Sequence, residues 1–198
     1  MLLDVKDINT YRGPAHILRG VSITVDTDEV VALVGRNGAG RTTIIESITG
    51  LLPVRSGHIR FRDEEITSLP PHRRAKRGIG YAPENSGIFP ELTVAENLMI
   101  SRWLSAKTGR SGANGGDSEE GAFRVFPEVR PLLARQGLNL SGGQVTAVVI
   151  EHDMDVVFRY SDRIVMMHEG AFLADGTPDE IRADKDVASI LLGAPLEA

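Results

Sequence analysis

The sequence predicts an α/β fold, and three observations carry that prediction. Val30 to Val34 is continuously apolar, as a strand buried on both faces requires. A glycine-rich turn, Gly35 to Gly40, interrupts the pattern, and Thr42 to Thr49 resumes it at helical spacing until Gly50 closes the helix. Ahead of this strand, loop and helix, Leu2 to Ile8 and the alternating Val21 to Val25 read as two further strands.

The later elements follow from local rules. Gly57 to Phe61 and Ile79 to Ala82 are expected as short strands, with a basic helix between them beyond Pro70-Pro71. Thr93-Val94-Ala95-Glu96 is a capping box that opens a helix running towards Leu104. Lys107 to Gly121, dominated by Gly, Ser and Asn, is expected to be a flexible connection inside one domain spanning 1–198. An amphipathic piece from Phe123 to Leu133 leads to Leu140-Ser141-Gly142-Gly143-Gln144, and an apolar strand, Val145 to Ile150, ends at Glu151-His152-Asp153. Arg163 to Met167 and Ala171 to Ala174 form a hairpin about Glu169-Gly170. Thr177-Pro178-Asp179-Glu180 joins a capping box to a proline at the first helical position, so a last helix follows.

Bulk composition narrows the function classes. The 198 residues, 41% hydrophobic and 25% charged, suffice for one sizeable core. A formal net charge of -5 offers no basic field, so no nucleic-acid partner is expected. Cysteine is absent, which removes disulfides and thiolate metal sites and is compatible with a reducing compartment. No apolar run reaches the roughly 18 residues a membrane helix needs, and Met1-Leu2-Leu3-Asp4 does not begin a signal peptide. Association with a membrane is therefore expected to run through another protein.

The chemistry concentrates in Gly35-Arg36-Asn37-Gly38-Ala39-Gly40-Arg41-Thr42-Thr43, which fits the phosphate-loop pattern G-x-x-x-x-G-K-[ST] except that Arg41 replaces lysine. Glycines allow successive backbone N–H groups to turn around phosphate oxygens, and the following helix aims its positive dipole end at the same anion. Thr42 is expected to ligate Mg²⁺ through its hydroxyl and Thr43 to bond a phosphate. Arg41 keeps the charge, but a planar guanidinium is bulkier than an ammonium and does not act as the same point charge.

Leu140-Ser141-Gly142-Gly143-Gln144, downstream of that loop, resembles the signature motif of ABC transporter ATP-binding subunits. Gly78-Ile79-Gly80-Tyr81-Ala82-Pro83-Glu84, with Ile88 to Leu98 after it, resembles the Q-loop region of the branched-chain amino acid import ATPases and their urea or amide relatives, which carry glutamate at the position of Glu84. Glu151 to Phe158 is similar to the same subgroup.

The resemblance implies a P-loop NTPase cassette: a RecA-like parallel sheet core, an antiparallel β subdomain and a helical signature subdomain. It places Tyr11 against adenine, His152 as the switch histidine, and Glu84 with His152 in the catalytic set, with Thr42 and Glu84 towards Mg²⁺. Ser141, Gly142, Gly143 and Gln144 would face the ATP of a second subunit. The implied cofactors are ATP and Mg²⁺. The implied partners are a second ATP-binding subunit and transmembrane permease subunits, which would hold the chain at the cytoplasmic face of the cell membrane.

One departure is large. In the family a long helix, an apolar strand ending in Asp-Glu and a partner-contacting loop separate the signature from the switch histidine, whereas here Gln144 runs directly into Val145. The core is therefore expected to be incomplete at 144/145. Without a metal-binding aspartate and a base to polarise water, the chain is expected to bind nucleotide without hydrolysing it. A non-catalytic pseudo-subunit and a truncated product are the alternative readings.

Overall fold

A computed structural model of the chain describes residues 1–81, 89, 91–107, 123, 127–135, 154–184 and 187. The first two strands are longer than the apolar pattern suggests: β1 (Leu3–Arg12) pairs antiparallel with β2 (Ala15–Val25) across a tight turn. After β3 (Val31–Gly35) and α1 (Arg41–Thr49), β4 (Val54–Phe61) returns to the other edge of β1, and a two-residue β5 (Glu64–Glu65) adds to β4. These strands make an antiparallel sheet in the order β2-β1-β4-β5.

Helix α2 (Pro71–Arg77) starts on proline and ends on Gly78. The expected strand at Ile79 to Ala82 does not form over its described residues, 79–81. The N–H of Ile79 is committed to the Arg74 carbonyl, 3.3 Å away, which ties it to the end of α2. A hydrophobic side chain there is packed against the core without belonging to a ladder.

The second sheet has the order β3-β6-β7. β6 (Arg163–His168) lies parallel to β3, and β7 (Ala171–Gly176) returns antiparallel to β6 through the turn expected at Glu169-Gly170. Helix α4 (Met154–Tyr160) precedes β6, and α5 (Pro178–Ala183) follows β7. Between α2 and α4 in sequence, α3 (Val94–Lys107) extends past Leu104, so Lys107 is helical; a 3-10 helix spans Pro127–Leu132.

Strand alternation explains the packing. Leu33 of β3 with Val165 and Met167 of β6 face one core, shared with β1, β2, β4 and Ile44 of α1. Their neighbours Ala32, Val34, Ile164 and Met166 face a second core, shared with Val157 of α4 and Ile181 of α5. Successive side chains of a strand point to opposite faces, so the β3–β6 ladder is the wall between two cores, and both strands read as apolar runs. Ile8, Leu18, Ile44, Ile59 and Ile164 are fully buried, each contributing about 1.5–3 kcal/mol of transfer free energy.

The chain divides into two compact units, Met1–Tyr81 with Ala147–Ala198, and Ala82–Thr146. Within the second, the capping box holds as expected: the Glu96 N–H donates to Thr93 Oγ1 at 3.2 Å, and the Thr93 N–H donates to Glu96 Oε2 at 2.8 Å. The N–H groups of Val94 and Ala95 donate to the carbonyls of Arg135 and Leu133, which anchors the start of α3. The segment 108–121, the strand expected at Val145 to Ile150 and the 144/145 junction lie outside the described residues.

Candidate functional site

The loop between β3 and α1 begins where the chain has no room for a side chain. A Cβ on Gly35 would stand 2.4 Å from the carbonyl oxygen of Met167 on β6, so glycine alone lets the loop leave the ladder there. The loop then rises to the surface at Arg36, Asn37 and Gly38 and dives back at Ala39, Gly40 and Arg41.

Several of its backbone donors are left over. Gly38 and Gly40 both have left-handed φ, +85° and +108°, and Gly40 caps α1 with no side chain of its own. The Ala39 N–H is spent on the Arg36 carbonyl at 3.0 Å. Among the described residues the N–H groups of Asn37, Gly38, Gly40, Thr42 and Thr43 have no acceptor. Five such donors lie in the loop and first turn of a helix that has no acidic residue in that turn, which is the chemistry an anion requires. The site therefore fits a polyphosphate. Thr42 is exposed, so its hydroxyl is open to a Mg²⁺ ion, and Thr43 is 4% exposed. The Arg41 side chain is 8% exposed rather than extended into solvent.

The loop is held from behind. Gly170, in the β6–β7 turn, donates its N–H to the Ala39 carbonyl at 3.0 Å and accepts from the Arg19 N–H of β2 at 3.0 Å. On the other flank, Thr10 Oγ1 of β1 lies 3.1 Å from Ser47 Oγ of α1, a buried pair joining sheet to helix. Arg12, the last residue of β1, donates from Nε to Thr43 Oγ1 at 3.2 Å and pairs with Glu46. The sequence pattern marked Gly170 only as part of a turn and did not mark Arg12. Arg12 and Thr43 are 31 residues apart and meet only because β1 runs beside α1, and the Glu169-Gly170 turn is legible as a turn but not as a prop.

Tyr11 lies on the same strand, one residue from Arg12. Its ring stacks on His16 with centroids 4.3 Å apart and planes 6° from parallel, and the Arg55 guanidinium carbon is 5.6 Å from its centroid. His16 is held in place by Nε2 against Asn9 Oδ1 at 3.0 Å. His16 belongs to β2 and Arg55 to β4, the two strands flanking β1, so the ring has neighbours from both sides. The other expected site residues, Glu84, Ser141, Gly142, Gly143, Gln144 and His152, lie outside the described residues.

Behind α1, Arg74 is 2% exposed and spends its guanidinium on carbonyls alone: Ser47 at 2.7 Å, Ile48 at 2.8 Å, Leu69 at 2.8 Å and Thr67 at 2.7 Å. Burial pulls its pKa below the ordinary arginine value. Two of those carbonyls belong to the last turn of α1, where the helix carries no basic residue of its own.

Comparison with known proteins gives the family. The ABC transporter family model matches residues 18–154. The chain is 30% identical to the high-affinity branched-chain amino acid transport ATP-binding protein BraF of Pseudomonas aeruginosa, covering 97% of this chain and 98% of that protein. It is also 30% identical to the lipopolysaccharide export system ATP-binding protein LptB of Escherichia coli K12, covering 92% and 93%. The alignment with BraF runs over 249 positions, so a chain of 198 residues leaves at least 51 of them (249 less 198) without a residue. The fold superposes on a nucleotide-free ATP-binding cassette from an ABC transporter with a TM-score of 0.78 at 24% identity, covering 97% of this chain and 99% of that one. With a phosphate loop of this form and a family match over more than half its length, the chain belongs to the ABC transporter family, as an ATP-binding subunit.

Proposed function

We propose that the chain binds ATP with Mg²⁺ at residues 35–43 and, by itself, does not turn it over. The five backbone N–H groups from Asn37 to Thr43 that have no acceptor among the described residues carry the binding half of this reading. In it they hold the phosphates, Thr42 is the Mg²⁺ ligand, joined by Glu84, and Tyr11 stands beside the base. A bound Mg²⁺ would draw negative charge from the phosphate oxygens, and the chain's part is to hold that charge in place.

The second half rests on the chain's length against its relatives. At least 51 alignment positions have no residue here, and the junction of Gln144 with Val145 is where the family's carboxylate-bearing strand is missing from the sequence. His152 would contribute its imidazole at a site that has no base to work with. Phosphoryl transfer depends chiefly on positioned charge, so the loss of both carboxylates removes turnover while the phosphate cradle remains.

In this reading the subunit works at the cytoplasmic face of a membrane, paired with a second ATP-binding subunit and docked on permease subunits. Among the described residues no helix is long and apolar enough to cross a membrane. The transported solute is a branched-chain amino acid or a similar small solute, as the BraF likeness and the glutamate at position 84 suggest. The equal identity to an export ATPase makes the direction of transport the point to test in the assembled complex.

Isothermal titration with ATP and Mg²⁺, run beside a phosphate-release assay, tests the proposal. Binding without release is expected, with tighter binding but still no release for Arg41→Lys. Steady release that disappears in Arg41→Ala would overturn it and direct attention to Glu151 and Asp153.

A further inference from the structure

The hydroxyls of α1 are used in two different ways. Ser47 donates to the Thr43 carbonyl at 2.7 Å, and Thr49 donates to the Ile45 carbonyl at 2.9 Å, so both return their hydrogens to the preceding turn of the helix. Thr43 does not. The carbonyl it could reach one turn back, Ala39, accepts from Gly170, and Thr43 Oγ1 instead accepts from Arg12 Nε at 3.2 Å. A hydroxyl has one hydrogen to give and two lone pairs. With a lone pair engaged by a guanidinium, and no acceptor for its hydrogen among the described residues, the Thr43 hydroxyl is set as a donor, next to five backbone donors that also await acceptors.

Arg12 is in turn held. Its Nη2 pairs with Glu46, one turn along the same face of α1, so the guanidinium is clamped across Thr43 and Glu46 rather than swinging in solvent. Nη1 has no hydrogen bond among the described residues. We infer that Arg12 is a positioning residue for nucleotide binding: it fixes the Thr43 hydroxyl with its hydrogen available to a phosphate oxygen. This rests on the phosphate-loop reading proposed above and assigns it a residue that lies outside the loop, on the strand that also carries Tyr11.

The fork geometry is what makes arginine suitable. Two parallel N–H donors reach an oxygen of Thr43 and a carboxylate of Glu46 at once, and a flexible ammonium reproduces the charge but not the planar pair. Because Arg12 acts through Thr43, removing either should remove much of the same interaction. Independent roles would instead multiply.

A double-mutant cycle of Arg12→Met and Thr43→Val, read by ADP and ATP titration, separates these outcomes, with urea unfolding of each ligand-free variant to remove effects on stability. Each single change is expected to weaken ADP binding about tenfold, the value of one charge-assisted hydrogen bond, and the double change to weaken it little beyond the larger single loss. Unchanged affinity in Arg12→Met, or losses that multiply in the double variant, would overturn the assignment. If Arg12→Met does not fold, Arg12→Lys replaces it, with the same non-additive result expected. Absence of ADP and ATP binding by the unaltered chain would instead bring down the phosphate-loop reading, and this inference with it.

Discussion

Gly170 is the position where chain geometry tolerates least. Its φ of +82° is one most side chains avoid, and a Cβ there would stand 1.8 Å from the Ile17 carbonyl oxygen, well inside contact distance. The residue also ties Ala39 to Arg19, so any retreat from Ile17 pulls on the phosphate loop. Gly170→Ala is expected to cost about 2–4 kcal/mol and to weaken ATP binding as well. Gly38→Ala provides the contrast, because its φ is +85° but nothing lies within 4 Å of the added atom. That change should cost only the left-handed strain, about 1 kcal/mol. Urea midpoints compare the two, and equal values would show that the close approach to Ile17 is not what requires glycine.

At the scale of elements, α1 depends on its surroundings for both ends. Its first turn has no acidic residue and its last no basic one, so the dipole is left for a ligand at one end and for Arg74 at the other. Arg74→Met would strand the carbonyls of Ser47, Ile48, Leu69 and Thr67 in a buried place, at an expected cost of about 3 kcal/mol. Arg74→Lys should recover little of it, since one ammonium cannot reach four acceptors spread over α1 and the turn before α2. Chemical denaturation of both variants checks this, and a full recovery by lysine would refute the geometric argument.

The capping box of α5 gives a pH dependence with a definite sign. Hydrogen bonds from the backbone and hydroxyl of Thr177 hold the Glu180 carboxyl below the usual glutamate range. A group whose folded pKa is depressed stabilises the fold fully above its unfolded value, about 4.3, and loses that contribution as pH falls through the folded value. Carboxyl titration by NMR should find Glu180 restored towards the ordinary value in Thr177→Ala, and α5 fraying first on acidification.

Both capping boxes, at Thr93 and Thr177, were legible in the sequence because a cap is a rule about neighbours. The β6–β7 hairpin was legible for the same reason. The strand misread at Ile79 was not, because Gly78 and Arg74 recruit its backbone from outside any strand pattern. The site divides in the same way. Gly35 to Thr43 is contiguous and could be read directly, whereas Arg12, Arg74 and Gly170 act across the fold and announce themselves only once β1, α2 and the β6–β7 turn are placed.

For the whole molecule, the proposed function can be tested through Leu140 to Gln144, read as a signature segment. Ser141 would serve the ATP of a partner, whose own phosphate loop, metal ligand and base would do the chemistry. The chain is expected to restore phosphate release when mixed with an intact homologous cassette made defective in its signature, and Ser141→Arg to abolish that rescue. Equal rates from the two would mean that Leu140 to Gln144 is a remnant.

The β3–β6 ladder also fixes an order of events during synthesis. The strands of the antiparallel sheet are all supplied by the first 65 residues and can pair as soon as they emerge, but β3 must wait for β6. Val30 and Asp162, which bracket that pairing, are 132 residues apart. At about 5–20 residues per second, the apolar run from Val30 to Val34 stays without its parallel partner for about 7–26 s on the ribosome. That interval, rather than the stability of the finished fold, sets how much of the nascent chain is exposed to aggregation or chaperone capture, and slower translation between the codons for Gly35 and Arg163 should lower its soluble yield.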